Sequence, residues 1–165
     1  MNALLLHASI VGLLALNPPP LQGIEMGDAP TGERYFRPAS DSADADTYVL
    51  GCKAKLTTGT ITQIWEGEGS LSYHADGAEH VFTLTRYKMV QPNGGPTFRN
   101  NLNMIGTGWR KDSGDDLIMD GMWHDNVVTV RRAKTTAPSR VEFQFVFDRQ
   151  GSPDVSCSTA TFTAP

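Results

Sequence analysis

The sequence predicts an all-β fold: a single antiparallel meander of roughly eight to nine strands closing into a small up-and-down β-barrel, with a β-sandwich as the alternative. Three observations lead there. From Tyr48 onward, apolar and polar residues alternate with a period of two, and no long stretch carries a helical period. Short clusters of Gly, Asp, Asn, Ser and Pro punctuate the alternation at the spacing of hairpin turns. The two cysteines of the 165-residue chain, Cys52 and Cys157, fall near the two ends of this region. In an oxidising compartment they are expected to pair, tying the first strand to the last as barrel closure would require.

The chain divides into three parts. Residues 1–22 form an apolar segment whose core, Ala3 to Leu16, is uncharged and resembles the hydrophobic region of a secretory signal peptide. No Lys or Arg precedes it and no A-x-A site follows, but its 14 residues fall short of the ~20 a membrane-spanning helix needs. Residues 23–46 read as an acidic flexible linker, because so few apolar groups cannot offset the entropy of ordering. Tyr35-Phe36 is the exception there, an aromatic pair able to dock on the folded part or on a partner. Residues 47–165 are the β-barrel domain. Formal charge is uneven across these parts. Residues 1–46 hold six acidic and two basic side chains, and residues 47–165 hold twelve of each, so the net −4 sits entirely in the N-terminal part. The balanced domain excludes the basic footprint of a nucleic-acid binder. Arg131-Arg132 is a local exception, yet adjacent strand residues point to opposite faces.

Taken in order, Tyr48 to Leu56 alternates as a first strand with Leu50, Cys52 and Ala54 inward, and Thr57-Thr58-Gly59 turns the chain. Thr60 to Glu66 is a second strand, and Gly67-Glu68-Gly69 interrupts it with a bulge, a bend or a close backbone approach. A hairpin then turns at Asp76-Gly77, setting His74 opposite Glu79, Tyr73 opposite His80, and Leu71 opposite Phe82. One face carries Leu71, Tyr73, His80, Phe82 and Leu84; the other carries Ser72, His74, Glu79, Val81 and Thr83. Apolar parity is even at Phe82 and Leu84 but odd at Tyr87 and Met89, which predicts a bulge facing the glycines.

Gln91 to Asn101 reads as a loop, with Phe98 tucked back. Leu102 to Arg110 is a strand given curvature by Gly106 and Gly108, and Lys111 to Asp115 is a turn. A further hairpin is expected around Asp125-Asn126, with Asp120 opposite Arg131. After the loop Thr135 to Ser139, the run Val141, Phe143, Phe145, Phe147 is the cleanest inward face in the chain. Asp154 to Thr163 closes the domain, its Thr-rich composition favouring strand.

No catalytic set assembles in this pattern. There is no G-x-S-x-G and no P-loop, Gly67-Glu68-Gly69 lacks a βαβ context, and the short Trp65–Gly69 run identifies no family. The hairpin places His74 and His80 on opposite faces, leaving too few converging ligands for a metal. Asp112, Asp115 and Asp116 around Gly114 lack a calcium-loop register and read as a charged turn. No cofactor is implied.

The expected function is therefore binding: an exported, secreted or periplasmic, disulfide-closed barrel carrying a small apolar molecule in its interior. Trp65, Trp109, Trp123, Phe143 and Phe145 would line the cavity, with Tyr73 and His80 as polar contacts. The first alternative is an envelope protein–protein interaction or inhibitor module acting through loop 91–101 and the hairpin tips. The second is an enzyme using His80, Tyr73 and Glu66 or Glu68, which requires those side chains to share a pocket.

Overall fold

The structure, a computed structural model, describes residues 32–39, 46–92, 97–114, 116–149 and 153–165, excluding the side chains of residues 97 and 98. The signal-like segment and most of the linker lie outside these residues. Among these residues eleven strands follow one another: β1 Arg34–Pro38, β2 Thr47–Thr58, β3 Ile61–Asp76, β4 Glu79–Val90, β5 Thr97–Gly106, β6 Trp109–Asp112, β7 Leu117–Met119, β8 Trp123–Ala133, β9 Arg140–Phe147, β10 Val155–Ser158 and β11 Phe162–Thr163.

Pairing is antiparallel throughout and sorts the strands into two sheets. The first has the order β1-β2-β3-β4-β8; the second has β10-β9-β5-β6, with β7 on β5 and β11 on β9. Among the described residues the ladder does not close into a ring, so two antiparallel sheets stand where a closed meander was expected. The reason lies in the connections. After β4 the chain enters the second sheet to make β5, β6 and β7, and then returns to lay β8 beside β4. The sequence signal for a hairpin at Asp125-Asn126 is overridden by a stronger one at Asp120-Gly121. There Gly121 takes φ +80° and Asp120 Oδ1 accepts a hydrogen bond from Met122 N at 2.8 Å. β8 consequently runs unbroken through Asp125-Asn126, and Arg131 pairs with Asp76 and Glu79 rather than with Asp120.

Four further boundaries differ from expectation. β1 lies inside the segment read as linker, paired along β2 from Arg34↔Cys52 to Pro38↔Tyr48. β5 starts at Thr97, so the expected loop 91–101 is half strand; residues 93–96 are outside the description. Its Asn100, fully buried, donates Nδ2–H to Leu117 O and accepts from Asp148 N, a polar anchor that mimics loop composition in the sequence. β5 and β6 form a hairpin rather than one strand, because Gly108 takes φ +74°. The final segment splits at Thr159, whose buried hydroxyl accepts from Phe143 N and so replaces a ladder bond.

The hairpin of β3 and β4 pairs Asp76 with Glu79, leaving Gly77-Ala78 as its two-residue turn, with Gly77 at φ +55°. His74 therefore faces Val81 and Tyr73 faces Phe82, two residues from the expected register. A shift of two preserves every face, which is why the inward set Leu71, Tyr73, His80, Phe82 and Leu84 is correct although the pairs are not. A bulge is present, though not facing the glycines as expected: Gly67 and Gly69 pair regularly with Met89 and Tyr87, and Thr85 is extra opposite Ser70/Leu71, switching the inward parity of β4 to Tyr87 and Met89.

β3 is one continuous strand through Gly67 and Gly69. Each glycine seats a phenylalanine of the opposing sheet. A Cβ on Gly67 would lie 2.3 Å from the Phe145 ring, and one on Gly69 would lie 2.4 Å from the Phe143 ring. Of the three readings a strand glycine allows, close approach is the operative one. Around this contact Leu50, Leu71, Phe82, Leu84, Met89, Leu102, Met104, Phe143, Phe145 and Phe147 are fully enclosed. Cys52 and Cys157 are bonded, Cα to Cα 6.0 Å, and join β2 of one sheet to β10 of the other. No helix among the described residues is long and apolar enough to cross a membrane.

Candidate functional site

The two sheets leave a notch where three pieces of chain meet: the β5–β6 turn, the end of β8, and the loop running into β9. The result is a cleft of about 130 Å³ lined by Thr107, Trp109, Arg132, Thr135, Ser139 and Arg140, among others. Its floor is set by sequence. Gly106 pairs with Trp109 across the hairpin, and a Cβ on Gly106 would lie 2.2 Å from the indole. The indole thus lies flat over a strand with no side chain beneath it, and it stacks towards Phe82 at 6.4 Å between centroids and 29° between planes.

Arg132 reaches the same notch because of strand parity. It shares its face with Val128 and Val130, which pack on the core, and it sits across from His80 on β4. Its guanidinium lies 6.0 Å from the centre of the Trp109 ring, a cation–π contact at the long end of the useful range. Arg140 opens β9 opposite Thr163. The intervening loop is held by Ala164 N donating to Ser139 O at 2.9 Å and by Thr135 Oγ1 donating to Ala137 O at 3.1 Å.

The two cleft arginines differ from their neighbour. Arg131, on the outer face, donates to Asp76 at 2.7 Å and Glu79 at 3.3 Å. Those hydrogen bonds hold the Asp76 carboxyl below its ordinary range. Among the described residues, neither Arg132 nor Arg140 has a carboxylate within ion-pair distance. Two guanidinium groups, three hydroxyl-bearing side chains and an indole face therefore converge on a notch open to solvent. Such a set can take an anion with a flat apolar body: the guanidinium fork matches carboxylate or phosphate, and the indole supplies a stacking surface.

Behind the notch lies the pair singled out by the sequence. Tyr73 Oη and His80 Nδ1 share a hydrogen bond of 3.0 Å, both side chains buried. Tyr73 also packs on Phe82 and Phe162, and burial, with Asp46 and Tyr48 nearby, pushes its phenol up. The remaining expected residues disperse. Trp65, Phe143 and Phe145 are enclosed between the sheets, Trp65 with Arg149 over its ring at 5.5 Å. Trp123 lies on the outer face under Arg86 at 4.7 Å, because β8 runs straight through Asp125-Asn126 and alternation then sets Trp123 on the face opposite Val128, where a hairpin would have put the two on one face. Of the seven residues expected to line an interior cavity, Trp109 is the one that reaches the cleft.

Glu66 and Glu68 do share a face, but it is the outer one, opposite Tyr73 and His80, so the enzyme constellation is not assembled. Their partner is the unexpected strand β1. Tyr35 lies across Gly51, where a Cβ would lie 2.2 Å from the ring. Its hydroxyl stands 2.9 Å from Glu66 and 2.8 Å from Glu68. Arg37 and Lys88 each donate to Glu68 at 3.1 Å. Burial alone would raise the Glu68 pKa; the bonds from Tyr35, Lys88 and Arg37 outweigh it and hold the carboxyl below its usual range. Burial, reinforced by both glutamates, pushes the Tyr35 phenol far up.

Sequence reasoning missed Arg132 and Arg140. For Arg132 the signal was present: it has the same parity as Val128 and Val130 in a strand whose inward face is otherwise apolar. No group of three or more His, Cys, Asp or Glu side chains converges as a metal site among the described residues. No protein-family model, no curated protein and no solved structure matches this chain.

Proposed function

We propose that this protein is an extracytoplasmic binding module that takes an anionic, flat-bodied small molecule in the Trp109–Arg132–Arg140 cleft. The observation carrying this reading is the pair of arginines left without carboxylate partners beside a seated indole. Ligand sites typically combine an apolar or aromatic surface with a few convergent polar or charged groups, the combination found here. The Cys52–Cys157 bond supports export, since such bonds persist in oxidising compartments. The apolar N-terminal segment supports the same address.

The carrier form of the reading, a barrel holding an apolar molecule inside, has less support. Phe143 and Phe145 occupy the space such a molecule would need, pressed against Gly69 and Gly67. The test is calorimetric titration with phenyl phosphate and benzoate, with phenol and benzylamine as neutral and cationic controls. Both anions bind and the controls do not. Arg132→Ala and Arg140→Ala each weaken phenyl phosphate about tenfold, while Arg131→Ala, one residue away on the other face, leaves it unchanged. Equal binding of phenol, or insensitivity to both cleft substitutions, removes the reading.

A further inference from the structure

Among the described residues β1 and β8 end the first sheet, and β6 and β10 end the main path of the second beside the short β7 and β11; β8 apart, these ends are blunted. β1 is five residues long and carries Arg34, Arg37 and Pro38. β6 is four residues long and carries Arg110, Lys111 and Asp112. β10 is four residues long and is tied down through Cys157. Short, charged or proline-bearing edges are the usual protection against strand addition. β8 has none of these devices in its middle. It runs eleven residues, and its centre, Val127-Val128-Thr129-Val130, is uncharged and strongly β-forming. Val127 is 72% exposed.

The hydrogen-bond phase of this edge is determined from Val128 to Lys134. Lys134 N donates to Ala78 O at 2.8 Å, continuing the register that pairs Ala133 with Glu79 and Val130 with Phe82. Ladder bonds alternate sides along a strand. Arg132, Val130 and Val128 therefore direct N–H and C=O to β4, and Ala133, Arg131 and Thr129 direct theirs outward; beyond Val128 the ladder to β4 is irregular as far as Asp125. Among the described residues no strand meets them.

We infer that β8 is a homodimer edge, pairing antiparallel with β8 of a second copy about a two-fold axis at Val128. That register sets Val127 against the outward amide of Thr129 of the second copy and joins the first sheets of the two copies into one. It also sets Asp125 against Arg131 of the second copy, twice by symmetry, a third carboxylate beside a guanidinium that already holds Asp76 and Glu79 through Nη1. Charge selects it over the neighbouring register centred on Thr129, which opposes Arg131 to Val127 and leaves Asp125 facing Ala133. A different protein strand has no such complement built into this edge; the sequence of β8 complements itself. The inference is independent of the cleft, which involves the inward side chain of Arg132.

Sedimentation of the full chain tests it. The chain sediments as a dimer, and Thr129→Pro, which deletes an outward amide and spares the β4 ladder, gives a folded monomer whose melting temperature, unlike the parent's, does not change with protein concentration. Asp125→Arg weakens the dimer about tenfold through two lost ion pairs facing like charge, and the Asp125→Arg/Arg131→Asp double variant restores it. Val128→Cys forms a disulfide-linked dimer on mild oxidation, because opposed Cβ atoms sit within bonding reach; Val130→Cys does not. A chain that is monomeric throughout, or a dimer indifferent to Thr129→Pro and Asp125→Arg, overturns the inference. If Thr129→Pro fails to fold, the two cysteine variants decide: a Val130→Cys link with no Val128→Cys link refutes the register.

Discussion

The contact between the sheets makes a quantitative demand at Gly67. Replacing it by alanine adds one methyl group to a strand, which by propensity alone is close to neutral. In this fold that methyl would meet Phe145 Cγ at 2.3 Å and both Cδ atoms at 2.6 Å. Ordinary carbon contact begins near 3.5 Å, so the ring must retreat by about 1.2 Å. Phe145 is fully enclosed, flanked by Phe147 at 6.4 Å between centroids and close to the inter-sheet disulfide. It must leave its rotamer or part the sheets. Overpacking of this kind costs about 2–3 kcal/mol, and at roughly 3–5 °C per kcal/mol for a domain of this size the melting temperature falls by about 6–15 °C. Thermal and urea unfolding of Gly67→Ala measure it. Gly67→Ala/Phe145→Leu supplies the internal check: the smaller side chain makes room, so the double variant unfolds no earlier than Phe145→Leu alone. A melting temperature within two degrees of the parent, or additive losses in the double variant, refutes the packing argument.

Two further outcomes follow from the polar and covalent ties. Glu68 has a folded pKa below its unfolded value of 4.5, so its stabilisation is complete above that pH and is lost as pH falls through the lower, folded value. Glu68→Gln should therefore destabilise the protein at neutral pH by about 1–3 kcal/mol, and its stability should converge with that of the parent in acid, a comparison read by urea unfolding at stepped pH. Replacing both Cys52 and Cys157 by alanine releases a loop spanning 105 residues, which costs about 2–5 kcal/mol; the parent treated with reductant should lose a similar amount.

Strand identity and facing were legible wherever one face is buried. The alternation of Val141, Phe143, Phe145 and Phe147 gave β9, and the parity switch between Leu84 and Tyr87 gave the bulge, because burial imposes a period that sequence must obey. Connectivity was not legible. A turn signal says that the chain reverses, not which sheet it enters next, and Asp120-Gly121 carries β8 back to β4 across the molecule. β1 was hidden for another reason. It pairs as a five-residue edge held by Phe36 stacking on Tyr48 and by Tyr35 and Arg37 reaching Glu68, long-range contacts in a strand too short to show a period. The cleft was half legible. Trp109 stood out as an aromatic, but Gly106 beneath it looked like curvature, and Arg132 looked like one of an adjacent basic pair.

The three tryptophans report on three different surfaces: Trp65 between the sheets, Trp109 in the cleft, and Trp123 on the outer face under Arg86. Their indole N–H resonances, followed by two-dimensional NMR while phenyl phosphate is added to the full chain, test directly where a ligand sits. The account predicts that the Trp109 resonance moves and saturates while those of Trp65 and Trp123 stay in place. Movement of Trp65, or of none of the three, contradicts it.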